Sequence, residues 1–182
     1  LNVIGIHNVS NSLPAIGLSM QVGVPIDTIK AALLNFKGAE RRFEYKGTIG
    51  GVTIIDDYAH HPTEVTATLT AAKSYPHKSL WCVFQPHTYS RTKQHLKDFA
   101  SSLSNADKIV LADIYASREK DPGDISSKDL VKELKKLGKE VYYFPSFDEI
   151  ENFLLQNCMN GDLLITMGAG DIVTVGESLL GM

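Results

Sequence analysis

The sequence predicts an α/β fold, a doubly wound and mostly parallel sheet preceded by a short helical segment. Three observations predict it. Five short, nearly continuous apolar runs suit strands covered on both faces. Stretches with apolar residues three or four apart, the period of a helix, lie between them. Polar clusters follow the first three runs, where strands of such a sheet give way to ligand-facing loops.

Taken in order, residues 8–36 read as helical, with Pro14 placed as in a tolerant first turn and Ile16 and Met20 four apart. Gly23 is placed to break that helix. A second helix follows Pro25, with Ile26, Ile29, Leu33 and Leu34 on one face and Gly38 placed to stop it. Two helices cannot bury both apolar faces, so this segment is expected to belong to a domain whose remainder lies elsewhere.

The apolar runs are residues 53–55, 80–84, 108–111, 141–144 and 163–166. The helical patterns between them are Val65, Leu69, Ala72; Leu96, Phe99, Ala100, Leu103; Leu130, Leu134, Leu137; and Ile150, Phe153, Leu154. Ser126 with Asp129, and Ser146 with Glu149, have capping-box spacing and open the last two. Strands alternating with helices at this spacing give the parallel sheet.

Composition limits the function classes. The 182 residues carry a net charge of −3 with both signs interspersed, which excludes the basic field that tracks a nucleic-acid backbone. No run of about 18 apolar residues is present to cross a bilayer. Cys82 and Cys158 are isolated in apolar surroundings, the usage of a reducing, cytoplasmic compartment. The opening residues, Leu1 to Gly5, lack an initiator Met and the features of a signal peptide, and read as a cut within a longer chain.

The chemistry concentrates in two clusters. Asp56, Asp57, Tyr58, His60 and His61 gather two carboxylates, a phenol and two imidazoles before Pro62. Capping needs one such residue, so the cluster reads as an organised site in which Asp57 accepts from hydroxyls and His60 or His61 holds or moves a proton. Gln85, His87, Thr88, Ser90, Arg91 and Thr92 form the second. Here a guanidinium could grip a carboxylate while His87 adds a donor, or Thr92 could cap a helix beside a solvated Arg91. A metal site from His60, His61 and His87 lacks familiar ligand spacing, so no metal ligand is assigned. Gly168 to Asp171 is a strand-to-helix turn whose glycines are best explained by close packing, with Asp171 at the helix start. His7, Asn8 and Asn11 open the first helix, where asparagines often only cap.

Five stretches together resemble one family: residues 5–11, the Arg41, Arg42, Phe43, Glu44 run, DDYAHHPTE at 56–64, FQPHTYSRT at 84–92 and residues 167–171. They occur in the order found in Mur ligases, and the 56–64 and 84–92 stretches look like those of members that add L-alanine to UDP-N-acetylmuramate. The resemblance implies a three-domain ligase. Residues 1–37 would end its central ATPase domain, and 38–182 would form its carboxy-terminal Rossmann-like domain. No GxxxxGK[ST] phosphate cradle is present, so ATP phosphates and the main Mg2+ ligands would belong to upstream sequence, and these residues alone would not turn over.

By resemblance, Asn8 and Asn11 contact adenine with His7 nearby, Arg42 approaches the ATP phosphates and Asp57 holds the ribose. Tyr58 and His60 face the reacting groups, while His87 and Arg91 bind the alanine carboxylate. Many relatives carry a second Arg where this chain has Thr88. The implied reaction, a step in peptidoglycan precursor synthesis, activates the UDP-N-acetylmuramate carboxylate with ATP as an acyl phosphate. ADP leaves in that step, and the amine of L-alanine then attacks the acyl phosphate and displaces phosphate to give an amide. Such an intermediate needs positioning and water exclusion, which a mobile domain supplies; glycine-rich residues 36–51 are the expected hinge. Two other readings are a murein-peptide recycling ligase of the same family and a non-catalytic nucleotide-binding module.

Overall fold

The computed structural model describes residues 1–182. Helix α1, Ile6–Gln21, and helix α2, Ile26–Asn35, form the opening hairpin. Pro14 lies in the interior of α1 and not in its first turn, so the helix forgoes one backbone bond there. Gly23, with φ +84°, closes α1: its N–H donates to Met20 O and that of Val24 to Ser19 O, as in a Schellman turn. α2 ends when Phe36 becomes extended, two residues before Gly38. No helix is long and apolar enough to cross a membrane.

The sheet has six strands: β1 Glu44–Ile49, β2 Val52–Asp57, β3 Leu80–Phe84, β4 Lys108–Leu111, β5 Glu140–Tyr143 and β6 Leu163–Met167. Their order is β1-β2-β6-β3-β4-β5, with every pair parallel except β1 against β2. β1 corrects the sequence reading, which takes residues 36–51 as a hinge. Gly50 and Gly51, at φ +57° and +81°, make the two-residue turn that returns β1 as a hairpin, which leaves only 36–43 without regular structure.

Helices α3 Pro62–Ala72, α5 Leu96–Leu103 and α6 Ser127–Lys136 cover one face, and α7 Phe147–Asn157 and α8 Val173–Leu180 the other. A six-residue helix α4, Tyr89–Gln94, precedes α5. Alternation along β3 shows the logic. Leu80, Cys82 and Phe84 pack with Leu69, Phe99, Leu103 and Leu134, whereas Trp81 and Val83 pack with Ile150, Leu154 and Val175. Each such buried side chain stabilises the fold by roughly 1.5–3 kcal/mol. Trp81 donates Nε1–H to the buried Asp162 carboxylate at 3.0 Å, which satisfies the one polar atom of the largest core residue.

Both expected capping positions are used. The Asp129 carboxylate accepts from the Ser126 N–H, and the Ser146 hydroxyl accepts from the Glu149 N–H at 3.3 Å. A second complete box, beside that of Ser126 and Asp129, stands at His61 and Glu64, opening α3. Because β6 lies between β2 and β3, the chain leaves β2 in one direction and later returns beside it. That reversal opens a crevice beyond the carboxyl ends of β2, β6 and β3.

Candidate active site

β2 ends in two adjacent carboxylates that the structure separates by role. Asp56, fully buried, accepts from Arg41 Nε at 2.8 Å and from the Thr166 hydroxyl at 2.7 Å. Arg41 also donates to the carbonyls of Gly168 and Gly170, at 2.8 and 3.1 Å, so one guanidinium fastens the 38–43 segment to β2 and to the loop after β6. Arg41 and Phe43 hold positive φ, +54° and +48°, conformations that non-glycine residues keep only where their surroundings enforce them.

Asp57, 5% exposed, accepts from the N–H of Phe43 and Ala59 and from the Thr68 hydroxyl. Burial raises its pKa despite those bonds. Three of about four acceptor positions are thereby occupied, which leaves room for one outside hydroxyl.

The next turn carries the imidazoles. His61 is the N-cap of α3, where Nδ1 accepts from the Thr63 N–H at 3.3 Å and the ring meets His95, 5.1 Å away. His61 therefore turns from the crevice, and the capping account holds for it. His60 turns inward. Its Nδ1 bonds to the Tyr58 carbonyl at 2.9 Å, which directs the other ring nitrogen outward. Glu64 accepts from the N–H of both His60 and His61. Burial acts to raise its carboxyl, but these bonds and the nearby His60 and Arg42 charges outweigh it and hold the group below the ordinary glutamate range.

From the end of β3, Pro86 leads to His87 and on to Arg91 in α4. Arg91 Nη1 lies 3.2 Å from His87 Nδ1. A guanidinium only donates, so His87 Nδ1 accepts and the proton of the neutral ring sits on Nε2. Burial, then the Arg91 and His60 charges, push the His87 pKa below its usual value. Of the two readings of this cluster, the one with Thr92 as a cap does not hold: Thr92 is inside α4 and buried, with its hydroxyl on the Thr88 carbonyl, and Thr88 takes the cap position with φ +69°.

The two clusters join. Arg42 lies 5.7 Å from the Tyr58 ring centre, Tyr58 stands edge-on to His60 at 5.4 Å, and His60 lies 5.7 Å from His87. With the His87–Arg91 contact, a continuous strip runs from the 38–43 segment to α4. At the Arg42 end it opens into a cleft of about 710 Å3 between α1 and α3, lined among others by His7, Asn8, Asn11, Arg42, Asp57 and Glu64. Asn8 uses its amide locally, donating to the Ile4 carbonyl at 2.7 Å.

Three contributors are not singled out by sequence reasoning: Arg41, Glu64 and Tyr115. Which of two consecutive arginines turns inward is invisible in sequence. Glu64 carries a signal, the capping-box spacing from His61. The third, Tyr115, lies in the polar stretch that follows the third apolar run, residues 113–119, and stacks on His87.

A family model described as Mur ligase, glutamate ligase domain, matches residues 41–170. The chain belongs to the Mur ligase family. The match contains Arg42, Asp57, Tyr58, His60, His87 and Arg91, whereas His7, Asn8 and Asn11 precede it. Among similar Mur ligases, the UDP-N-acetylmuramate–L-alanine ligase of Lachnoclostridium phytofermentans is 66% identical over 180 residues, 99% of this chain and 38% of that protein. The protein of the same name from Lachnospira eligens is 61% identical over 99% of this chain and 39% of its own length. The chain thus spans under two fifths of these curated relatives.

Two solved Mur ligase structures share the fold. The UDP-N-acetylmuramate–alanine ligase of Thermotoga maritima superposes with a TM-score of 0.83 at 30% identity, over 98% of this chain and 38% of that one. A murein peptide ligase of Psychrobacter arcticus gives 0.71 at 28%, over 97% and 37%. The α/β architecture expected from sequence is the one these Mur ligases have.

Proposed function

We propose that this chain is the carboxy-terminal part of an ATP-dependent ligase that joins L-alanine to UDP-N-acetylmuramate in the cytoplasm. In this reading residues 1–37 close the central ATPase domain, and residues 38–182 form the domain that delivers the amino acid. The observation that carries it is the strip itself. A nucleotide-sized cleft at one end leads through Arg42, Tyr58, His60 and His87 to a guanidinium at the other.

The residues fit the two ends differently. In the cleft, Asn11 and the half-exposed His7 and Asn8 would meet the adenine, Asp57 would use its remaining acceptor position for a ribose hydroxyl, and exposed Arg42 would reach phosphate oxygens. At the other end Arg91 and His87 Nε2–H would donate to the alanine carboxylate, and the amine would point back toward His60. Tyr58 and His60 would order the reacting groups, with the free His60 nitrogen able to take a proton from the alanine ammonium so that the neutral amine attacks. No set of three His, Cys, Asp or Glu side chains is placed for a cation. Mg2+ is assigned no residue here, because the family resemblance puts its main ligands in the upstream domain.

The murein-peptide reading shares the fold and the His60 turn. The identity of 66% and 61% to ligases named for L-alanine favours the free amino acid. Arg91→Ala in the complete enzyme tests the assignment. The KM for L-alanine should rise about tenfold or more, the loss of a charge-assisted contact, while the KM for ATP stays within twofold. An equal rise for both substrates removes Arg91 from the carboxylate site.

A further inference from the structure

The loop between β4 and α6 fastens itself at three points to the segment that carries His87 and Arg91. The Tyr115 ring stacks on His87 with centres 5.6 Å apart and planes 21° from parallel. Around that stack, the Tyr115 N–H donates to the Pro86 carbonyl at 2.8 Å and the Thr88 N–H to the Tyr115 carbonyl at 2.9 Å. Glu119 then accepts from both the N–H, at 2.9 Å, and the hydroxyl of Ser90. Asp124 pairs with Lys93 at 2.5 Å. Ser117, between the first two tethers, holds φ +56°, a strained conformation that persists where the surroundings over-determine it.

We propose that loop 113–124 is a clasp whose residues Tyr115 and Glu119 position the His87–Arg91 pair and so set the affinity for the incoming amino acid. The proposal rests on the reading of that pair as the carboxylate site. Arg91 sits in the first turn of a six-residue helix, too short to hold its own geometry. Glu119 satisfies a backbone N–H left open at the start of that helix and fixes the residue next to Arg91. Tyr115 acts on the other partner. Its ring lies between His87 and the loop after β6, where a Cβ on Gly170 would stand 2.9 Å from the ring. Its hydroxyl makes no hydrogen bond within the chain, so the aromatic face is the working part. Tyr115 is 38% exposed and lies outside both core clusters, so removing its ring should spare the fold.

The test uses Tyr115→Ala, Tyr115→Phe and Glu119→Ala in the complete enzyme, together with NMR titration of the His87 ring in this 182-residue chain. Tyr115→Ala and Glu119→Ala should raise the KM for L-alanine roughly fivefold or more with the KM for ATP unchanged, and Tyr115→Phe should match the parent. In this chain, Tyr115→Ala uncovers His87, whose titration midpoint should move up toward the ordinary histidine value, while Tyr115→Phe leaves it low. The other groups facing His87, namely His60, Arg91 and Glu119, are intact in both Tyr115 variants. An unchanged alanine KM in Tyr115→Ala, or equal losses for alanine and ATP, overturns the clasp. Should the complete parent enzyme ignore L-alanine, the proposed function fails by itself. The titration then decides the clasp: a shift in Tyr115→Ala absent from Tyr115→Phe supports it, and no shift overturns it.

Discussion

The residue that most sharply links geometry to chemistry is His87. Its Nδ1 accepts from Arg91 at 3.2 Å, which requires the neutral ring. Burial and the neighbouring cations hold its pKa below the usual value of about 6.5, so the neutral form survives into mildly acidic solution. As pH falls through the lowered midpoint, Nδ1 becomes a donor facing a guanidinium, and the pair separates. Affinity for L-alanine should therefore be steady through neutral pH and fall only at a pH below the ordinary histidine value, and His87→Gln should abolish the step. A step unchanged in that variant would assign the titration to another group. At this scale the sequence is half legible. The residue types of the 56–61 and 85–91 clusters suffice to predict a site, but not that His61 turns away to cap α3 while His60 turns in. Nor do they show that Arg41 is locked in and Arg42 is exposed, because orientation depends on contacts made by residues more than a hundred positions away.

At the scale of elements, strands covered on both faces declare themselves as apolar runs, which is why β2 to β6 are legible. β1 is not: Glu44, Tyr45, Lys46, Gly47, Thr48 and Ile49 form a half-exposed edge strand with one open side and little need of apolar residues. The loop after β6 shows what such readings do predict. Gly168 holds φ +150°, and a Cβ there would stand 2.8 Å from the Gln85 backbone carbonyl, a neighbour unable to yield. Gly17, in α1, has open space around it. Gly168→Ala should destabilise by about 1–3 kcal/mol, a fall in Tm of roughly 2–4 °C per kcal/mol, through strain and overpacking. Gly17→Ala should be neutral or stabilising by up to about 1 kcal/mol. Thermal unfolding followed by circular dichroism reads both, and equal effects would refute the close-packing account of the 168–171 turn.

Across the whole molecule, the sheet and its five covering helices bury two apolar clusters of their own, whereas the opening hairpin buries little. Ile6, Leu13, Leu18 and Val22 on α1 and its exit are 62–81% exposed, apolar surface with no partner in this chain. That imbalance agrees with the proposal that residues 1–37 pack within a larger ATPase domain, joined to the strip of side chains by the 36–43 segment and the Arg41 fastening. The strip then works only when the two parts are held so that the cleft and the Arg91 end face one reaction. The most direct measurement is phosphate release from ATP by the complete enzyme with UDP-N-acetylmuramate, Mg2+ and L-alanine each omitted in turn. The account predicts release that requires every component and yields one amide per phosphate. Release that ignores free L-alanine but responds to a peptide, or no release with all components present, would contradict it.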